Sequence, residues 1–198
     1  MLASPPTSIN GTARQPRHAW LDAGLALLTG GGADALTIDQ LCVAVGRSKG
    51  SFYHHFADVD AYAEALLDHW QELHTENVER AVDQLSSVWE RRMRLANLAL
   101  TLDGAIERAM RQWGARSPLV LDRLRDIDQR RIAYLAGLIA ELRDDGDRAD
   151  ALDLARIEYA TFVGMLYVFP DGRHEDMLRM LRRFIGLMTP EAPTRTID

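Results

Sequence analysis

The chain has 198 residues, 47% hydrophobic and 26% charged, with 23 basic against 29 acidic side chains and a net charge of −6. That length buries a sizeable core, and the negative balance excludes a protein that coats nucleic acid through bulk charge while leaving room for a local basic patch. One cysteine, Cys42, excludes a disulfide scaffold, and the longest uncharged stretch near the C-terminus, Tyr159 to Pro170, is about half of what a bilayer needs. The opening MLASPPTSINGTA has neither the basic start nor the apolar centre of a secretion signal, so the expected setting is cytoplasmic, with no membrane.

Only Thr161 to Phe169 is open to a strand reading; elsewhere the apolar residues recur with helical period, which predicts an all-α fold. The first helix carries Trp20, Ala23, Gly24, Leu27 and Leu28 on one face and stops at Gly30-Gly31-Gly32. A short second helix follows, with Thr37 and Gln40 in the form of a capping box and Ile38, Leu41, Cys42 and Val45 as its apolar face; Gly46 ends it. Ser48 is the expected N-cap of a third helix running to about His55. Phe56-Ala57-Asp58 then turns the chain into a helix of roughly 25 residues, whose positive end suits Asp58 and Asp60. Further helices are predicted at 87–101, 103–116, 118–144, 148–169 and 174–189, with breaks at Gly104, Ser117-Pro118, Asp144-Asp145-Gly146-Asp147 and Pro170-Asp171-Gly172. Residues 1–13 and 190–198 are expected to be disordered tails.

The segment Thr37 to His55 is a helix, a glycine turn and a second short helix that presents Ser48, Lys49, Ser51, Tyr53 and His54, the pattern of a helix-turn-helix. A helix fits the DNA major groove, short polar side chains at its start approach base edges, and Gly50 lets the backbone come close. These residues resemble the TetR family of bacterial transcription regulators. The likeness runs from Thr37-Ile38-Asp39-Gln40-Leu41 through Ala44-Val45-Gly46-Arg47-Ser48-Lys49-Gly50-Ser51-Phe52-Tyr53-His54-His55-Phe56, and with the preceding helix it covers about fifty residues. One departure stands out: where the family has a phosphate-contacting lysine after the aromatic turn, this chain has Val59 between Asp58 and Asp60.

The resemblance implies a homodimeric regulator, a repressor that binds a palindromic operator in double-stranded DNA and is released by a small-molecule effector. The implied layout is a DNA-binding domain at 14–58 and a helical ligand-binding and dimerisation domain at 59–189. The expected DNA-binding residues are Thr37, Arg47, Ser48, Lys49, Gly50, Ser51, Tyr53, His54 and His55, with Arg14 and Arg17 also placed to reach phosphates. Phe52 and Phe56 are expected in the core. Aromatic and methionine side chains at helical spacing supply the expected ligand site: His69, Trp70, Trp89, Met93, Met110, Trp113, Tyr134, Phe162 and Met165, with Arg108, Arg111 and Gln112 as polar candidates. The last two helices read as a dimer interface, with Ala155, Tyr159, Val163, Gly164, Leu181, Phe184 and Met188 named for it.

No enzyme and no cofactor are expected. His69 and His74 lie five apart, about 140° around a helix, and do not share one metal; Asp144 to Asp147 lacks the alternating ligands of a calcium loop; Cys42 lies on an apolar face. Two other readings use the same residues: a DNA-binding protein without an effector that works through a protein partner, and an enzyme using the helical pocket, for which the chain offers no convergent acid, base and nucleophile.

Overall fold

The computed structural model describes residues 16–143 and 148–188. The expected tails, Arg14 and the Asp144 to Asp147 loop lie outside the described residues, as does the side chain of Met188. Among the described residues there are ten α-helices and no strand: α1 (Pro16–Gly31), α2 (Ile38–Val45), α3 (Lys49–His55), α4 (Val59–Gln71), α5 (Asn77–Val82), α6 (Val88–Thr101), α7 (Gly104–Gly114), α8 (Pro118–Arg143), α9 (Arg148–Val168) and α10 (His174–Met188). Thr161 to Val168 continues α9 as helix, which settles the strand ambiguity. None of these helices is long and apolar enough to cross a membrane.

Local chemistry explains the helix starts. Thr37 Oγ1 accepts from Gln40 N at 3.2 Å, Ser48 Oγ from Ser51 N at 3.4 Å and Asp58 Oδ1 from Ala61 N at 2.7 Å, each satisfying an amide that the helix itself leaves unbonded. Gly46 closes α2 in the left-handed conformation (φ 67), where a side chain would be strained. Asp103 caps α7 from outside, so the break expected at Gly104 falls one residue earlier.

The first core joins α1, α2, α3 and α4 to α7 and α8. Trp20, Leu28, Leu41, Phe52, Leu66, Leu67 and Trp70 are sealed in it together with Met110, Val120 and Ile127. It therefore runs without a gap across the boundary expected at residue 58. Helices α1 and α4 lie close at Gly24, where an added Cβ would stand 1.9 Å from the Tyr62 hydroxyl. That hydroxyl donates to Trp20 O at 3.0 Å, so any side chain at position 24 would displace a buried hydrogen bond.

The helix begun at α4 runs on to Val82, but not uniformly. Between α4 and α5 the residues Glu72–Glu76 wind as a π-helical turn, an irregularity the sequence periodicity did not reveal. Beyond it, α8 and α9 lie side by side in opposite directions, with Leu135 and Ile139 packed on Ala155 and Ala151. Helix α10 closes the far end, setting Leu178, Leu181 and Ile185 against Ala96 of α6 and Met177 against Met165 and Leu166 of α9.

Candidate functional site

The face expected to meet DNA is exposed. Arg47, Lys49, Gly50 and His54 lie on the surface, Tyr53 is 54% exposed, and Ser51 and His55 are half-buried. On the opposite side of α3, Phe52 and Phe56 are buried and fix the helix on α1 and α4. Together with Cys42, Val43 and Gly46, the residues Arg47, Ser48, Ser51, His54 and His55 line an open concavity between α2 and α3. Two interactions within this face escaped the sequence reading. Lys49 Nζ pairs with Asp39 at 2.6 Å, which raises the lysine pKa and means that a phosphate must draw it from a carboxylate. Arg17 rests its guanidinium 5.5 Å from the Phe56 ring centre, holding a cation beside the start of α4, where Val59 is half exposed between two aspartates.

A second feature is a cavity of about 100 Å³ lined by α5, α6, α7, α8, α9 and the π turn, with Leu181 of α10. Of the residues expected to bind a ligand, Tyr134 and Phe162 line it. The others are set elsewhere, a correction to that expectation. Trp70 and Met110 are fully enclosed in the first core and Trp113 packs against it, while Met93 and Met165 belong to the two apolar clusters under α10. His69 pairs with Asp22 at 3.0 Å and stacks on His18, and Trp89 lies at the exposed start of α6. Among the polar candidates, Arg108 donates to Leu166 O and Gln112 faces solvent. Helical spacing identifies an inward face but not which interior it enters.

The polar wall of the cavity is built on Arg131. Its Nε donates to Thr75 Oγ1 at 2.8 Å, and its Nη1 donates to Glu107 Oε2 and to the Tyr159 hydroxyl, both at 3.1 Å. Its guanidinium lies 4.8 Å from the Trp70 ring centre. Tyr159 donates in turn to Asp128 Oδ1 at 2.6 Å, and Arg111 binds Asp128 through two hydrogen bonds of 2.9 and 3.0 Å. Burial opposes the Arg111 charge, but the hydrogen bond to Asp128 and the charge of Glu107 outweigh it and raise its pKa. Nearby, Arg92 holds Glu158 by a two-pronged bridge of 2.9 and 2.7 Å, with 2% and 8% of the two side chains exposed. One sequence signal marks Arg92, Glu107, Arg131 and Glu158: each is a charged residue on the buried stripe of its helix, as Arg131 is between Ile127 and Leu135.

His74 also lines the cavity, and burial, aided by the nearby Arg131 charge, lowers its pKa to about 4. The folded chain then binds fewer protons here than the unfolded chain between about pH 6.5 and 4, so stability falls as pH drops through that window. At pH 5 the loss from this group is roughly 2 kcal/mol relative to pH 7. Urea unfolding at the two pH values will read it, and His74→Gln should abolish that share of the difference. An unchanged difference in the variant would place the acid sensitivity elsewhere.

The expected dimer face also needs redrawing. Ala155 and Leu181 are sealed inside the protomer, and Tyr159 belongs to the polar wall. Val163, Gly164 and Phe184 are half-buried. The unpartnered apolar surface of α9 and α10 is instead Ile157, Tyr167, Val168, Met180 and Leu187, which are 38–76% exposed. On α9 it continues through Ala160 and Gly164, where an added Cβ meets nothing within 4 Å.

Residues 21–66 match the family model for bacterial regulatory proteins of the tetR family. A comparison with curated proteins finds no match. Among solved structures, the chain is similar to a TetR transcription regulator from Haloarcula marismortui, at 18% identity over 88% of this chain and 98% of that one, with a TM-score of 0.75. It is also similar to a transcriptional regulator from Saccharomonospora viridis in complex with choline (19% identity, 86% and 95% covered, TM-score 0.71). A third structure is AibR in complex with isovaleryl coenzyme A and operator DNA (16% identity, 85% and 97% covered, TM-score 0.68). At such identities the likeness establishes the fold.

Proposed function

We propose that the chain, whose residues 21–66 match the family model for bacterial regulatory proteins of the tetR family, is a ligand-responsive repressor of that family, holding a palindromic operator as a homodimer and released by a small molecule in the α5–α9 cavity. One observation carries this reading. The helical run from Val59 to Val82 supports α3 at one end, through Tyr62 against Phe52 and Phe56, and supplies His74, Thr75, Val78 and Glu79 to the cavity wall at the other. A ligand that prefers one setting of the π turn biases the tilt of that run, and with it the spacing of the two α3 helices across successive major grooves. The solved neighbours support the pairing of roles: one holds choline, and another holds isovaleryl coenzyme A together with operator DNA. Functionally the chain divides into a DNA-binding segment, 14–58, and a segment for ligand and dimerisation, 59–189, although one core spans both.

The test of DNA binding is fluorescence anisotropy on an operator selected from random duplexes. Tyr53→Phe removes one hydroxyl per protomer from an exposed position, two in the dimer, and should weaken operator affinity by roughly 100- to 10,000-fold, since each hydrogen bond to a charged phosphate contributes about 1.5–3 kcal/mol. Helical content should not change. Equal affinity for wild type and variant would remove Tyr53 from the contact set.

Dimerisation has its own probe at Gly164. The free space around its Cβ position lets the protomer accept a leucine, while a partner helix on the α9 face would not. Gly164→Leu should raise the dimer dissociation constant at least tenfold, about 1.4 kcal/mol, in sedimentation velocity, with little change in thermal stability of the isolated protomer. A variant as dimeric as the wild type would move the interface off α9.

A further inference from the structure

We propose that the effector is an uncharged, mainly apolar molecule bearing one hydroxyl-type group, which rests on the reading of the α5–α9 cavity as the effector site. Its apolar surface includes Val78, Leu95, Ala99, Leu102, Leu135 and Phe162. The remaining wall carries charge, and the way that charge is distributed sets the class of ligand.

An anionic ligand needs a free cation. Among the described residues Arg131 is the one arginine on the wall, its charge is paired with Glu107, and four of its five N–H groups serve Thr75, Glu107, Tyr159 and His74 O, with Trp70 against its face. His74, with its pKa lowered, is neutral at pH 7. A cationic ligand needs a free carboxylate. Glu158 is clasped by Arg92, Glu79 pairs with Arg130 at 2.7 Å, and Glu107 lies between Arg131 and Arg111. Asp103 is exposed at the rim and its Oδ1 caps α7. Inward of the Asp103 rim, a charged group entering this wall would have to break a buried pair or stay unpaired, and each alternative is costly away from water.

Two buried hydrogen-bonding positions are left beside Arg131, one of each kind, in addition to the half-buried His74 ring, whose neutral imidazole offers one N–H and one bare nitrogen and so also suits a hydroxyl. Glu107 Oε1 is buried 2.7 Å from Arg111 Nη2, but that nitrogen aims its hydrogens at Asp128 and Tyr159, so the oxygen receives no aligned donor. Thr75, 2% exposed, accepts from Arg131 and has no acceptor for its own O–H among the described residues. A ligand hydroxyl donates to the first and accepts from the second. A plain hydrocarbon meets neither, and a carboxylate cannot donate.

The test is calorimetry of the full chain at pH 7.5 with four probes of similar shape, small enough for the cavity: butan-1-ol, pentane, butanoate and butylammonium. The alcohol should bind at least tenfold more tightly than the other three, as one or two added hydrogen bonds allow. Thr75→Val should erase its advantage over pentane, an outcome that a general loosening of the fold would not give. Tighter binding of the carboxylate or the ammonium, or no binding by any probe, overturns the proposed class. Ala99→Trp, or Ala99→Phe if the larger residue prevents folding, fills the cavity and should abolish binding of the alcohol. An alcohol that still binds to the filled variant would refute the effector-site reading itself.

Discussion

Replacing Arg92 with methionine should lower stability by about 3–5 kcal/mol, measured by urea unfolding at pH 7. The reason is the carboxylate left behind. Glu158 has 8% of its side chain exposed and both oxygens are directed at the guanidinium, so without the arginine its charge stays in a place largely shut off from solvent with its two strongest bonds lost. Arg92→Met with Glu158→Leu should recover most of the loss, because the pair holds α6 to α9 at the expense of removing two charges from water, and a methionine–leucine contact there has no such cost. A double variant as unstable as the single one would mean that the bridge shapes the cavity wall in a way apolar packing cannot replace. A stable single variant would mean that Glu158 finds another partner.

Phe52→Ala should cost about the same, roughly 3–5 kcal/mol, by a different mechanism. The ring has no exposed surface and packs within 5.2–5.6 Å, centre to centre, of Trp20, Phe56 and Tyr62. Its removal opens a cavity among aromatics that cannot collapse to fill it, since Tyr62 is tied to Trp20 O and Phe56 terminates α3. The neighbouring change Tyr53→Phe, on the exposed face of the same helix, should leave the unfolding midpoint within a few tenths of a molar in urea. If the two effects were exchanged, the inner and outer faces of α3 would be reversed.

The elements were legible in the sequence because their signals are local. Caps at Thr37, Ser48 and Asp58 and the left-handed Gly46 act within a few residues, and each helix boundary falls near its expected place. The inward and outward faces of α3 were legible for the same reason. The cavity was not. Trp70, Met110 and Tyr134 have the same helical signature, yet the first two face the α1–α4 core and the third faces the cavity, a distinction made by which helices pack together and not by periodicity. The charged wall was legible only in hindsight of the stripe: Arg131 and Glu158 occupy positions where an apolar residue is due, and that breach marks buried polar pairing. Ala155 and Leu181 were misassigned to the dimer face because α9 and α10 have apolar residues on two sides, one for each protomer's own core and one exposed.

The π turn at Glu72–Glu76 bears on how this protein changes over time. Buried positions step by four from Tyr62 to Leu66 to Trp70, then by five to Thr75, then by three and four to Val78 and Val82. Each residue turns an α-helix by about 100°, so one residue fewer between Trp70 and Thr75 would leave both halves in phase as a regular helix with the same core. The turn thus has the form of a single-residue insertion that packing does not require. What it alters is the wall of the cavity, where it sets the Thr75 hydroxyl and the His74 carbonyl beside Arg131. Gain or loss of that one residue is a route by which descendants of this chain can acquire a cavity of different chemistry while inheriting the helix-turn-helix end and its core unchanged.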